Sequence, residues 1–276
     1  MGLKLNGAIA LAFGLAGAVT AAVAADKAPG YLSPDEFDVT YVLEPAPRAG
    51  DPRYETDREI FRATRGLIGS ERWKLATDDA DESAPGLLGK FSCSVGVSLT
   101  TDNAPKLAYL LRRAAADTAL QTARAKDVYR RERPFLIDEG EVCQPTSRFF
   151  NKRLGRNSYD YPSGHTTRGW TWALVLASLA PDRAARVLER GRVYGDSRFV
   201  CGAHNQSAVE AGMVSASATM AVVSANLEYQ ADLAAARAEL AQLRARGSKP
   251  QGCEAEAALM RLRVMPKLDG ATEALR

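Results

Sequence analysis

Residues 161–166 read YPSGHT, and a long apolar stretch with helical spacing follows them. Ser163 is a natural N-cap for a helix that begins here, and Gly164 lets a ligand approach the backbone closely. The free amide groups at a helix N-terminus, together with the Ser163 hydroxyl, form a site for an anion. His165 falls in the first turn, where it can protonate a leaving-group oxygen. The stretch therefore predicts a helix over 163–179 with an anion site at its start, although such a turn taken alone is common at ordinary helix starts.

Two further clusters carry the charges that a phosphate needs. Lys126 is followed seven positions later by Arg133, and residues 197–204 (SRFVCGAH) contain Arg198 and the second of the chain's two histidines, His204. Arginine offers a planar fork to two phosphate oxygens, and lysine offers a compact charge. Histidine attacks phosphorus well when one ring nitrogen is free and an acceptor holds the other. Any one of these cations is ordinarily surface charge, but together the clusters predict a phosphoryl-transfer site that needs no metal.

The hydrophobic spacing of the remaining chain is helical from Thr56 onward. Pro134 is expected to end one of these helices, and a helix that runs on to it would place Lys126 and Arg133 two turns apart, facing one pocket. Period-two alternation is nearly absent, and its best example, residues 37–43, is short. The sequence predicts an all-α, single-domain helical bundle with an irregular N-terminal arm over 26–55. Beyond the helix that begins near Thr56, the predicted helices lie at about 86–98, 104–130, 163–179, 182–194, 203–227 and 229–246.

Residues 1–25 have the pattern of a signal peptide: Lys4, then an almost wholly apolar stretch that ends in small residues. The competing interpretation is a membrane anchor, which the small residues at cleavage spacing disfavour. The predicted mature domain is 26–276, soluble and periplasmic or secreted, with no membrane contact after the leader is removed. Without Lys4 the chain has 35 basic and 33 acidic residues, a net charge of +2. This near-neutral balance excludes a generic nucleic-acid binder.

Four cysteines, Cys93, Cys143, Cys201 and Cys253, are an even number for an oxidising compartment. One or two disulfides are expected, and all three pairings stay open if all four residues join. None has the spacing of a zinc site, so no metal is predicted. A bridge at Cys201 would brace the loop that carries His204.

The three motifs KxxxxxxRP, PSGH and SRxxxxxH, in this order, resemble the signature of the type 2 phosphatidic-acid phosphatase and vanadium haloperoxidase superfamily. Flanking stretches such as residues 69–73 (GSERW) and 201–207 (CGAHNQS) narrow the resemblance to the bacterial class A non-specific acid phosphatases. The resemblance runs from about residue 30 to 225. It implies an all-helical fold and periplasmic hydrolysis of small phosphomonoesters through a phosphohistidine, with no metal or other cofactor.

The resemblance also implies a role for each position. His204 would be the nucleophile, and His165 would protonate the leaving alcohol and then activate water. The phosphate oxygens would be bound by five groups: Lys126, Arg133, Arg198, Ser163 and the Gly164 amide. Inorganic phosphate or vanadate would inhibit, and a homodimer is the commonest symmetric assembly. The preferred substrate is left open.

One position departs from the family pattern. The family places an aspartate four residues after the nucleophile, where it orients the imidazole, and this chain has Ala208 there. Glu210 would point elsewhere on a helix. Ala208 leaves several interpretations: an enzyme that is slow or differently supported, a phosphate-binding protein without turnover, or a deliberate replacement. A vanadate-dependent haloperoxidase and a membrane lipid phosphatase are weaker alternatives, because the flanking sequence and the lack of later spans disfavour them.

Overall fold

The computed structural model describes residues 29–246 and 248–267. The predicted signal peptide at 1–25 lies outside the described residues, so it stays a prediction, as does the domain boundary at residue 26. The all-α prediction is confirmed: the described chain is built from helices and one tiny antiparallel sheet, in which Phe150 pairs with Asn157. The helices are α1 Pro52–Thr64, α2 Glu71–Asp78, α3 Ala84–Val95, α4 Pro105–Tyr129, α5 Gly164–Leu179, α6 Ala184–Val200, α7 Gln206–Val223, α8 Leu227–Ala245 and α9 Cys253–Met260. The strands are β1 Phe150–Asn151 and β2 Arg156–Asn157, and short 3-10 turns lie at Val39–Tyr41, Arg65–Leu67, Pro134–Leu136, Thr146–Phe149 and Pro181–Arg183.

Helix α5 is the centre of the bundle and packs against α4, α6 and α7. Its apolar residues join the largest core cluster, in which Trp172 and Leu176 are fully enclosed. Two glycines allow close approach of its neighbours. A Cβ at Gly169 would lie 2.2 Å from Tyr194 Cδ1 on α6, and one at Gly212 would lie 2.8 Å from the carbonyl oxygen of the residue that precedes α5. The start of α5 is therefore pressed between α6 and α7.

The helix that carries Lys126 ends earlier than Pro134. Helix α4 stops at Tyr129, and Arg130 takes a left-handed conformation with φ of 51°. Arg133 then lies in extended backbone with φ of −76° and ψ of 152°. The prediction that Pro134 ends the helix is wrong, because a left-handed C-cap turns the chain before the proline is reached.

Other local predictions also shift. Residues 37–43, the best period-two stretch, contain the 3-10 turn Val39–Tyr41, and the Val39 amide donates to Gln121 Oε1 (3.0 Å). The helix predicted at 182–194 runs on to Val200, and the one predicted at 203–227 begins only at Gln206. The sequence analysis did not predict α2, α9 or the two strands.

The irregular N-terminal arm is confirmed from residue 29 to the start of α1. It is fastened to α4 by the buried carboxylate of Asp117, which accepts hydrogen bonds from the backbone N–H groups of Tyr31 (2.8 Å) and Leu32 (3.0 Å). An edge-to-face contact between the rings of Tyr31 and Tyr229 joins the arm to α8. The arm thus covers one side of the bundle without secondary structure of its own beyond the 3-10 turn.

Two disulfides settle the pairing that the sequence left open. Cys93 joins Cys253 and ties α9 to α3, whereas Cys143 joins Cys201 at the end of α6. The Cys143 amide also donates to the Cys201 carbonyl (3.0 Å). The second bridge therefore holds the 140s loop against the chain that leads to His204.

Across the described ranges, no single helix has both the length and the apolar composition needed to cross a membrane. Helices α7 and α8 pass such a test only as a pair, and they meet at a bend of 101°.

Candidate active site

A cavity of about 480 Å³ gathers residues from all three predicted clusters. Its wall includes Lys126 and Arg133 from the first cluster, Gly164 and His165 from the second, and His204 from the third. The two imidazoles therefore face one cavity, as the sequence analysis required. Arg198 and Ser163 are fully buried and lie outside the set of residues that line it.

The start of α5 is capped as the sequence predicted. The Ser163 hydroxyl oxygen accepts from the Thr166 amide (3.3 Å) and from the Thr166 hydroxyl (3.0 Å). The Ser163 amide donates to the Ala208 carbonyl (2.9 Å), which fixes this turn to α7. Both hydroxyl contacts use the oxygen as an acceptor. The binding role of Ser163 itself stays a prediction.

Hydrogen bonds at both ring nitrogens hold His204 in one tautomer. Its Nε2 lies 3.0 Å from Arg133 Nη1, and a guanidinium can only donate, so Nε2 is the acceptor. The proton therefore lies on Nδ1, which donates to Asp160 through Oδ1 (2.9 Å) and through the backbone oxygen (2.8 Å). Burial, followed by the charges of Arg133, Lys126 and Arg198, lowers the pKa of His204 well below its usual value. A neutral ring with a bare Nε2 is the form that attacks phosphorus.

The short loop before α7 supports this geometry. Gly202 has φ of +79°, a conformation that favours glycine, and a Cβ there would lie 2.6 Å from Arg65 Nη1. The Ala203 amide donates to the Arg198 carbonyl (3.0 Å). The chain thus turns sharply after α6, which brings His204 back beside the end of the helix that carries Arg198.

His165 lines the cavity, and each of its ring nitrogens lies beside an oxygen of the α2–α3 connection. Its Nε2 donates to the Ala80 carbonyl (3.0 Å), and its Nδ1 lies 3.2 Å from Glu82 Oε2. The ring stacks on Tyr194, with 5.9 Å between centroids. Burial, followed by the charge of the nearby Arg198, lowers the pKa of His165 well below its usual value, and the bond to Ala80 opposes that shift. Because a backbone carbonyl holds Nε2–H, Nδ1, beside Glu82, is the ring nitrogen that can gain or lose a proton.

Lys126 and Arg133 bring positive charge into poorly hydrated surroundings. Lys126 Nζ donates to the carbonyl oxygens of Tyr159 and Asp160, the latter at 3.4 Å. Burial, with help from Arg133, lowers the pKa of Lys126 to about 7. Burial likewise lowers the pKa of Arg133 to about 10. Arg133 is held by the Ser158 carbonyl (2.7 Å) and hydroxyl (2.8 Å), so its fork is oriented before any ligand arrives.

Arg198 lies in the last turn of α6 and is fully enclosed. Its Nη2 donates to Gln144 Oε1 (3.1 Å), and within the described chain its Nε and Nη1 have no hydrogen-bond partner. Buried donors of a charged group strongly favour an anionic acceptor. Gln144 lines the cavity and follows Cys143, so the Cys143–Cys201 disulfide holds this arginine and its partner together.

Comparison with known proteins agrees with this arrangement. The PAP2 superfamily matches residues 106–231. An acid phosphatase of Zymomonas mobilis is 40% identical over 213 residues, which span 77% of this chain and 79% of that protein. Non-specific acid phosphatases of Providencia stuartii and Salmonella typhimurium are each 35% identical over 209 and 212 residues, spanning 75% and 76% of this chain and 83% of each relative. The chain belongs to the bacterial non-specific acid phosphatases of the PAP2 superfamily.

The carboxylate partner of His204 was not predicted from the sequence. Of the interpretations that Ala208 left open, the structure fits a differently supported His204, because Asp160 supplies a carboxylate to Nδ1 from the loop before α5. Ala208 is enclosed in an apolar cluster with Tyr161 and Ala125. Asp160 stands directly before residues 161–166, so an acidic residue beside the motif was the only local signal for it.

The sequence analysis also missed part of the phosphatase's cavity wall. Glu82 belongs to the α2–α3 connection, where no motif marks it, and its half-exposed carboxylate faces His165. No group of three or more His, Cys, Asp or Glu residues placed to hold a metal ion occurs in the part of the chain that the structure describes. The wall residues that no motif predicted are Ala80, Asp81, Glu82, Ser83, Gln144, Arg148, Phe149 and Ser158.

Proposed function

We propose that this acid phosphatase hydrolyses small phosphomonoesters through a phosphohistidine on His204, without a metal ion. The observation that carries the proposal is the tautomer of His204: its unprotonated Nε2 lies beside Arg133, which lines the same cavity, while Nδ1–H is held by Asp160. His165 also lines that cavity, with Nε2 held by the Ala80 carbonyl and Nδ1 beside Glu82. A nucleophile and a proton donor on one cavity, with cations around them, support hydrolysis of a phosphate ester.

In the first half-reaction, the phosphate group of the ester binds among the cations Lys126, Arg133 and Arg198, which stabilise charge on its oxygens. The Nε2 lone pair of His204 attacks phosphorus, and the bond from phosphorus to the alcohol oxygen breaks. His165 Nδ1 gives its proton to that oxygen, so the alcohol leaves neutral. The Nδ1 proton of His204 stays on the ring and is shared with Asp160.

In the second half-reaction, water attacks the phosphorus of the phosphohistidine. His165, now neutral, takes a proton from that water, and the bond from phosphorus to His204 Nε2 breaks. Inorganic phosphate leaves, and both imidazoles return to their starting protonation. Binding of a phosphate dianion offsets the nearby positive charges that lower the pKa of His165, which helps it hold the proton that the first step needs.

The alternative of a phosphate binder without turnover rested on Ala208 alone. Its support weakens because Asp160 gives His204 a carboxylate partner. Turnover of p-nitrophenyl phosphate by the wild-type protein, with His204→Ala as the comparison, separates the two functions. Phosphate binding without turnover would refute the enzyme, and so would equal rates in the two proteins. A phosphoryl label on the wild-type protein that is labile in acid and stable in alkali identifies the phosphohistidine. The label should be absent from His204→Ala.

We further propose that the enzyme is exported to the periplasm or secreted, and that inorganic phosphate and vanadate inhibit it by occupying the same cavity. The leader pattern at 1–25 and the pairing of all four cysteines support export, because disulfides persist in oxidising compartments. Mass spectrometry of the protein from a periplasmic fraction tests this: a mature N-terminus near residue 26 supports export, whereas an intact leader contradicts it. We also propose a homodimer, the commonest symmetric assembly, and a monomer mass in analytical ultracentrifugation would contradict it.

A further inference from the structure

We infer that Asp160 is the positioning residue of His204, and that it does from the loop before α5 what the family's aspartate does from four residues after the nucleophile. The inference rests on the proposed phosphohistidine mechanism and adds to it the group that prepares the nucleophile. The family pattern names no such role for this position, and the chain has alanine where the pattern has the carboxylate.

The contact itself has the geometry of a charge-assisted hydrogen bond. Asp160 Oδ1 lies 2.9 Å from His204 Nδ1, and both side chains are almost completely buried. The other carboxylate oxygen accepts from Asn205 Nδ2 (2.8 Å), and the Asn205 amide donates to Oδ1 (3.2 Å). Arg131 Nε lies 3.9 Å from Oδ2. These neighbours fix the rotation of the carboxyl group, so Oδ1 remains aimed at the imidazole.

The backbone around Asp160 is fixed as firmly as its side chain. The Asp160 amide donates to the Arg131 carbonyl (2.8 Å), and the Ser163 amide donates to the Ala208 carbonyl (2.9 Å). Lys126 Nζ donates to the carbonyl oxygens of residues 159 and 160. Residues 159–163 therefore orient His204, hold the Lys126 ammonium group and lead into the anion site at the start of α5.

Position 208 has a different task in this chain. Its methyl group is fully buried among apolar side chains, and its carbonyl receives the Ser163 amide. A carboxylate placed there would be desolvated in this apolar cluster, and it would add a second negative charge near His204. In this chain the carboxylate that contacts His204 Nδ1 comes from the loop before α5.

The carboxylate does more than hold a tautomer. The Asp160 carbonyl oxygen also accepts from Nδ1 (2.8 Å), so the tautomer survives without the side chain. When Nε2 bonds to phosphorus and Nδ1 keeps its proton, the ring becomes positively charged. A buried carboxylate 2.9 Å away stabilises that charge, as the aspartate of a hydrolytic triad stabilises an imidazolium.

Asp160→Asn tests the inference, with Asp117→Asn as the matched control, since Asp117 is also a buried aspartate that accepts two hydrogen bonds from the backbone. We expect kcat for p-nitrophenyl phosphate to fall about 10²-fold in Asp160→Asn. This is less than the roughly 10⁴-fold loss in a hydrolytic triad, because the backbone carbonyl still holds the tautomer. KM and the inhibition constant of inorganic phosphate should change less than about threefold, because the phosphate-binding cations are untouched. Asp117→Asn should keep the wild-type kcat.

A kcat in Asp160→Asn within about threefold of wild type overturns the inference, and so does a loss that appears equally in KM and phosphate binding. If His204→Ala is as active as wild type, the proposed function fails instead. If His204→Ala is inactive while Asp160→Asn keeps its kcat, only the role of Asp160 fails.

Two measurements keep the inference testable if Asp160→Asn does not fold. The ring nitrogens of the wild-type protein can be observed by ¹⁵N NMR, and His165→Ala assigns them because the chain has two histidines. We expect a protonated Nδ1 and a bare Nε2 on His204, and a protonated Nε2 refutes the inference. Separately, Ala208→Asp should not raise kcat, because Nδ1 already has its carboxylate. A several-fold rise would show that the acceptor was missing.

Discussion

Lys126 gives a binding prediction whose size follows from the structure. Burial and Arg133 lower its pKa to about 7, so its ammonium group is almost fully charged at about pH 5 and about 9% charged at about pH 8. Because Lys126 is a cation with a lowered pKa, raising the pH through 7 removes its charge. If only the charged form binds an anion well, the dissociation constant rises about tenfold between about pH 6 and pH 8.

The assay uses sulfate rather than phosphate, because sulfate stays a dianion across this range and phosphate does not. Binding is measured by calorimetry at constant ionic strength for the wild-type protein and for Lys126→Arg, in which the charge persists at every pH used. Arg133, with its pKa lowered to about 10, stays charged in both proteins. We expect the tenfold rise in wild type and a much flatter profile in Lys126→Arg. A flat wild-type profile, or the same rise in both proteins, would refute the reasoning.

Three further changes test other parts of the site. Arg198→Lys should lower kcat/KM by about 10²-fold, because a lysine replaces a planar fork whose buried Nε and Nη1 are left to bind phosphate, and steady-state kinetics measures it. Removal of the Cys143–Cys201 bridge by serine at both positions should lower the free energy of unfolding by about 2–5 kcal/mol in denaturant titration. It should also lower kcat, because the bridge tethers Gln144, which accepts a hydrogen bond from Arg198. His165→Ala should slow phosphorylation of the enzyme by an alkyl phosphomonoester about 10²–10⁴-fold. The loss should be far smaller for p-nitrophenyl phosphate, because its leaving group needs little protonation. Rapid-quench kinetics compares the two substrates.

Each of these changes has its own control. Serine at Cys93 and Cys253 removes the other disulfide, which lies on α3 and α9, so it should lower stability and leave kcat unchanged. Equal losses of kcat from the two bridges would show a general effect of stability. A His165→Ala enzyme that is equally slow with both leaving groups would contradict the role of His165 as proton donor. An Arg198→Lys enzyme with wild-type kcat/KM would contradict phosphate binding by the planar guanidinium of Arg198.

Residues 126–134 show which features of the fold local sequence can predict. Helical spacing correctly predicted a helix from about residue 104, with Pro105 in its first turn. It did not predict the left-handed turn at Arg130, because that turn depends on the packing of the following loop and not on a glycine or proline at the position. Lys126 and Arg133 nonetheless reach one cavity, by way of that turn instead of along a continuous helix.

Local chemistry was predictable from the residues alone: Ser163 as the N-cap of α5, the helical class of the fold, and the three motifs that supply imidazoles and cations. Capping and hydrophobic spacing act between residues a few positions apart, so they can be read directly from the chain. The tertiary structure alone decided the disulfide pairing, the place of Glu82 and the carboxylate partner of His204. Asp160 and His204 are 44 residues apart, and they meet only because the loop before α5 is fastened to the start of α7.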